Sequence, residues 1–173
     1  MHKRFFNRNS EIVAKDLLGK ILVRKINGRE MKVMIVETEA YFDEMDPASR
    51  ARQNGDLRET MKMEAGTILV YGVHNNWLFN VVTDKENVPS AVLIRAAEPL
   101  NFNGNCKGPG LFTRTLEINK NLHKKNIFLD KEIEILDNNI DYEIVKRFRI
   151  GVSRDLPKKL RFYIKDNKWV SRR

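Results

Sequence analysis

The sequence predicts an α+β fold in a single domain, residues 1–173, with a largely antiparallel sheet and a few helices outside it. Three observations lead there. A chain of 173 residues that is 42% hydrophobic has material for one real core and not for two. Short runs rich in Val, Ile, Leu, Phe and Tyr outnumber segments with helical spacing. Many neighbouring runs are joined by short turns, which suit antiparallel pairing, whereas parallel strands need long crossovers.

In chain order, Ser10 as a cap, Glu11 in the first turn and Gly19 as terminator predict a short helix over 10–18. A strand follows over Lys20–Lys25. Asn27-Gly28 supplies the positive-φ pair of a tight turn into a strand over Met31–Tyr41. Residues 42–66 are polar and aperiodic, with Asp43, Asp46, Pro47, Asn54 and Gly55 as breakers, and read as a long loop with a little helix over 58–64. Further strands are predicted over 67–71, 78–82 and 91–96. Gly108-Pro109-Gly110 opens a helix reaching about Glu117. The chain then returns to strands over 133–136, 142–148, 160–165 and 169–171, with Asp166-Asn167 as a turn.

The strand ending Ile35-Val36-Glu37-Thr38-Glu39-Ala40-Tyr41 is the chemical focus. Alternation puts Val33, Ile35, Glu37, Glu39 and Tyr41 on one face, which changes from apolar to acidic. A carboxylate continuing from an apolar core is costly unless it is paired or does chemistry. The two carboxylates lie roughly 7 Å apart at about 3.3 Å per residue, and periodicity does not rank them. Glu37 has the simpler structural reading, an ion pair to Arg95 or Arg149. Tyr41 and Tyr71 are either core aromatics or stacking platforms for a flat base. Asn80 sits in an apolar run, and Arg95, embedded in Ala91–Ala97, needs an anion.

Lys and Arg number 32 against 23 Asp and Glu, so the formal charge is +9 and a polyanion is the natural partner. From Arg147 to Arg173 ten basic residues face two acids, and alternation over 160–165 predicts a half-buried strand displaying them. One cysteine, Cys106, allows no intrachain disulfide or CxxC pair, and His2, His74 and His123 lack metal-ligand spacing, so no metal and no cofactor are expected. No phosphate loop and no GxSxG elbow occur. Neither a signal-type apolar stretch nor a membrane-spanning run is seen, and a cytoplasmic protein with no membrane association is expected.

Taken together, Asp16–Leu22, Ile35–Tyr41, Asp46 with Ala48-Ser49, Ala91–Ala96 with Glu98-Pro99, Gly108–Leu111, Arg149–Val152, and Leu160–Tyr163 through Val170-Ser171 resemble the alkyladenine (3-methyladenine) DNA glycosylase family. The resemblance spans nearly the whole chain in the family's order. It implies a curved antiparallel sheet and a monomer acting on double-stranded DNA that contains damaged purines. By position, Glu39 matches the acid that activates water, and Tyr41 and Tyr71 match the aromatics that stack on an extruded base. Asn80 matches the pocket amide that discriminates among purines. Arg95 matches a backbone-contacting arginine, and His74 falls where a wedge side chain enters the duplex; a different gap placement makes Tyr71 the wedge. Arg149 and Arg161 of the basic segment are expected to hold DNA.

Flipping a nucleotide costs a few kcal/mol, less where the base is damaged. No lysine nucleophile is required, so a monofunctional purine-specific glycosylase is expected. Arg50 stands where the family usually carries a histidine touching the base. Turned inward, its permanent cation disfavours cationic alkylpurines and suits the O6 and N7 acceptors of neutral lesions such as hypoxanthine; turned outward, it meets a phosphate. The rival readings are a non-catalytic DNA-binding module on the same fold, and a sugar hydrolase using Glu37 and Glu39 as a pair.

Overall fold

The computed structural model describes residues 1–172; Arg173, counted above in the basic segment, lies outside the described residues. Eight strands make one antiparallel sheet: β1 (Ile21–Ile26), β2 (Arg29–Tyr41), β3 (Ile68–Val73), β4 (Asn76–Val82), β5 (Ala91–Pro99), β6 (Ile133–Leu136), β7 (Ile144–Arg147) and β8 (Arg161–Ile164). The order is β3-β4-β5-β2-β1-β6, with β8 attached to β2 and β7 to β8, and the sheet curls into a half-barrel. Helices α1 (Lys3–Phe6), α2 (Ser10–Asp16), α3 (Asp56–Met61) and α4 (Pro109–Thr115) lie outside it, α2 against β2 and β5 and α4 against β4 and β5. The α+β expectation holds.

Long β2 is the spine. One edge pairs with β5 from Val33 to Tyr41. The other edge is shared: Arg29–Met34 pair with β1, and Glu37–Glu39 pair with β8. This fork brings the C-terminal third of the chain beside the acidic half of β2. At the fork the β2–β5 register shifts on both sides of Glu37, because Ile35 pairs with Ala97, Glu37 with Ala96 and Thr38 with Ile94. Val36 and Arg95 fall outside the ladder there, so strict alternation fails locally and Ile35 and Val36 both enter the core. Beyond it, Thr38 turns to α2, its hydroxyl donating to the Ala14 carbonyl at 2.7 Å, while Glu37 and Glu39 face the opposite way toward shared arginines.

The Asn27-Gly28 turn is as expected, with φ of 50° and 72°. A second turn of the same kind joins β3 to β4 without glycine: His74 and Asn75 take φ of 47° and 61°. Both residue types tolerate the left-handed region, which is why a two-residue hairpin was not legible there.

Several element boundaries differ from the sequence reading. Asn9, not Ser10, caps α2, its side chain accepting from the Glu11 N–H at 3.0 Å. The loop helix begins at Asp56 and ends at Met61. Residues 169–171 form no strand; instead the Ser171 N–H donates to Glu37 Oε2 at 2.7 Å. β8 is buried on both faces, Arg161 included at 3% exposure, so it does not display a basic face. Periodicity could not show this because the Glu37 carboxylate and the Phe148 and Arg172 carbonyls take up the Arg161 guanidinium.

Gly19 terminates the α2 region at φ +77°, donating its N–H to the Ile35 carbonyl at 2.8 Å. A Cβ there would stand 2.7 Å from the Tyr142 ring and 3.1 Å from Ile140. Gly19→Ala is expected to cost roughly 1–3 kcal/mol, combining left-handed strain with that overlap. A urea midpoint unchanged from wild type would contradict it.

Candidate active site

Registry assembles the site. Leu69, Asn80, Leu93, Glu39 and Arg161 are cross-strand partners in sequence, forming one row across β3, β4, β5, β2 and β8. Above it opens a cavity of about 660 Å³. Tyr41, Leu93 and Arg95 contribute from the central strands, and Tyr71, His74 and Leu78 from the β3–β4 hairpin. Two loops close the sides, Pro47–Arg50 from the polar segment and Ile150–Ser153 from the connection between β7 and β8.

Glu39 lies fully buried beneath this cavity. Tyr41 donates its hydroxyl to Glu39 Oε2 at 2.8 Å, and Arg95 donates to the same oxygen at 3.2 Å. The Ile150 backbone N–H donates to Oε1 at 2.8 Å. A carboxylate has about four lone-pair positions, so three are filled and one on Oε1 is left, beside cavity-lining Ile150. Burial raises the Glu39 pKa above its ordinary value; Arg95, the Ile150 N–H and Tyr41 oppose that without cancelling it. The result is a basic, oriented carboxylate.

Glu37, two residues earlier and equally buried, is also held by three donors, two of them arginines. Its Oε1 accepts from Arg95 at 3.2 Å and Arg161 at 2.9 Å, and its Oε2 accepts from the Ser171 N–H. Arg95 thus bridges both carboxylates. The partner of Glu37 is Arg95, as the sequence suggested, together with Arg161 in place of Arg149.

Two expected positions need correction, and a third, Asn80, is enclosed. Arg149 has a fully enclosed side chain whose donors go to Asp46, Asp155 and the Ala40 carbonyl. Arg161 is taken by Glu37 and by the carbonyls of Phe148 and Arg172. Neither guanidinium faces outward toward a phosphate; the cost of burying each cation is met by carboxylates, the loop residues Asp46 and Asp155 for Arg149 and Glu37 of β2 for Arg161. Asn80 is 2% exposed and does not line the cavity; its amide donates to the Leu69 carbonyl at 3.1 Å.

The remaining candidates do reach the cavity. Tyr41 lies under the Arg149 guanidinium at 4.6 Å, and burial raises its hydroxyl well above the ordinary value, so it stays a donor. Arg50, on a 3-10 turn (Arg50–Arg52) capped by Ser49, turns inward with its guanidinium 5.1 Å from the Tyr71 ring. Arg95 is on the wall, and His74 is exposed on the rim at the hairpin tip. Sequence reasoning missed the Ile150–Ser153 wall and Asp155. The Arg149–Val152 segment was visible as a motif, but a backbone N–H leaves no residue-type signal.

A basic protein with a buried carboxylate held beneath a cavity walled by tyrosines and arginines has the features of a hydrolase site for a flat group carried on a polyanion. Comparison narrows the class. The family model described as methylpurine-DNA glycosylase (MPG) matches residues 4–168. A relative from Aeropyrum pernix, provisionally named 3-methyladenine DNA glycosylase, is 39% identical over 98% of this chain and 92% of its own. Proteins with the same provisional name from Borrelia garinii and Clostridium perfringens are 38% identical over 100% of both chains, and 35% identical over 98% of this chain and 97% of their own. The chain belongs to the methylpurine-DNA glycosylase family, hydrolases that act on N-glycosyl bonds in DNA repair.

Proposed function

We propose that this protein, acting as a monomer, flips a damaged purine out of duplex DNA and hydrolyses its N-glycosidic bond, leaving an abasic site. Glu39 takes the proton of a water that attacks C1′ of the deoxyribose, while the base lies among Tyr41, Tyr71 and Arg50. His74 at the hairpin tip fills the gap in the stack. The observation that carries the reading is Glu39 itself, whose three donors, Tyr41, Arg95 and Ile150, all line the cavity. General-base assistance of this kind is worth about 10²–10⁴ in rate.

The test is incubation with duplex oligonucleotides carrying one hypoxanthine or one 3-methyladenine, followed by alkaline strand cleavage. Free base and alkali-dependent nicking are expected. Nicking without alkali would contradict the monofunctional mechanism, and tight binding with no product would favour the non-catalytic module.

The inward Arg50 bears on the lesion. A cation beside Tyr71 repels a positively charged alkylpurine and offers N–H donors to purine O6 and N7. The lesion range is therefore shifted toward neutral deaminated purines. Arg50→His is expected to lower the ratio of hypoxanthine to 3-methyladenine excision by about tenfold, the size of one good polar discrimination near 1.4 kcal/mol. Equal selectivity in both proteins would overturn this part of the reading.

A further inference from the structure

Residues 148–159 link β7 to β8 without a strand ladder of their own. They nevertheless supply one wall of the cavity and the N–H that holds Glu39. Something other than sheet pairing must fix them, and the contacts of Arg149 meet that need. Its guanidinium donates to Asp46 Oδ1 and Oδ2 at 2.6 and 2.7 Å, to Asp155 Oδ1 at 2.5 and 2.9 Å, and to the Ala40 carbonyl at 2.9 Å. Its backbone N–H reaches the other Asp155 oxygen at 3.2 Å. One side chain therefore ties the Asp46 loop, its own loop and the end of β2 together.

The same residue adjoins two of the three donors on Glu39. Tyr41 lies beneath its guanidinium, and Ile150 is its neighbour in the chain. Resting on the assignment of Glu39 as the base, we propose that Arg149 is a positioning residue, acting through Tyr41 and the Ile150 N–H to aim the open lone pair of Glu39 into the cavity. It touches neither base nor sugar. Its bidentate fork to Asp46 sets the geometry, which a lysine with the same charge cannot copy.

The groups facing Glu39 are Glu37 and Tyr41 from β2, Arg95 from β5, Arg161 from β8, Tyr71 from β3 and the Ile150 N–H from the loop. Loosening Arg149 weakens two donors to the charged carboxylate and leaves Arg95 in place. The ionised form is then less favoured, so the acid limb of the rate profile moves to higher pH. A general loss of folded protein lowers the rate at every pH and leaves the limb where it is.

The experiment compares wild type, Arg149→Lys, Asp46→Asn and Glu39→Gln in single-turnover excision from a hypoxanthine duplex at saturating enzyme, from pH 4.5 to 8. For Arg149→Lys the expected result is a rate about 10–100-fold lower, the scale of a misplacement near 1 Å, with duplex affinity within about threefold of wild type. The acid limb is expected to rise by roughly half a pH unit or more. Asp46→Asn, which keeps Arg149 and weakens its anchor, is expected to shift the limb in the same direction and carries the test if the lysine variant does not fold. An unmoved limb, at whatever rate, overturns the proposal. Activity retained in Glu39→Gln would instead overturn the assignment of Glu39, so the two failures are distinguishable.

Discussion

Glu39→Gln is expected to lower excision by about 10²–10⁴-fold while lesion-duplex binding stays within a few fold of wild type. The glutamine keeps the size of the side chain and loses the base. Wild-type excision should also fall off on the acid side at a pH above 4.5, the ordinary glutamate value, because burial pushes the Glu39 pKa upward and only the ionised form can take a proton. The stability sign runs the other way. A carboxylate whose folded-state pKa is raised binds its proton more tightly when folded, so its contribution to stability declines as pH rises from 4.5 through the folded pKa. At neutral pH ionised Glu39 is thus a cost the fold carries, and the glutamine variant recovers part of it. Single-turnover kinetics with an electrophoretic binding assay checks the outcome; near-normal excision by Glu39→Gln would remove Glu39 from the chemistry.

The second large effect is on stability and falls on Glu37. Glu37→Gln leaves Arg95 with Glu39 alone and Arg161 with no carboxylate among the described residues, inside a site where Glu37 and Glu39 are fully buried. Removing one partner of a buried pair costs about 3–5 kcal/mol, because a cation is left uncompensated. At about 2–4 °C per kcal/mol for a chain of this size, the melting temperature should fall by roughly 10 °C. Thermal and urea unfolding at pH 7 would test this, and a loss below about 1 kcal/mol would contradict it. The paired variants separate the carboxylates: Glu39→Gln loses rate more than stability, Glu37→Gln the reverse.

Much of the fold was legible because it rests on local rules. The strand at Ile133–Leu136 has the expected bounds, and the Asn27-Gly28 turn follows from two residues suited to positive φ. The His74-Asn75 turn was less legible, since neither residue is a glycine and both also suit open loops. Of the candidate site, Tyr41, Arg50, Tyr71, His74 and Arg95 come together around one cavity. Asn80 falls on the same strand row as Glu39, its buried amide donating to the neighbouring Leu69 carbonyl.

By itself the sequence determined the α+β class, the order of the strands along the chain, the shared face of Glu37 and Glu39, and the resemblance that family comparison then established. These depend on alternation, turn chemistry and residue identity, all local properties. Only the tertiary structure decided that all three donors on Glu39 line the cavity while Glu37 depends also on Arg161 and the Ser171 N–H, which do not, and that Arg149 and Arg161 point inward. Glu39 meets Ile150 and Glu37 meets Arg161 across more than a hundred residues of chain, through the fork in β2 that seats β8 beside it. A buried charge is defined by what neutralises it, and strand register, not sequence position, selects that partner.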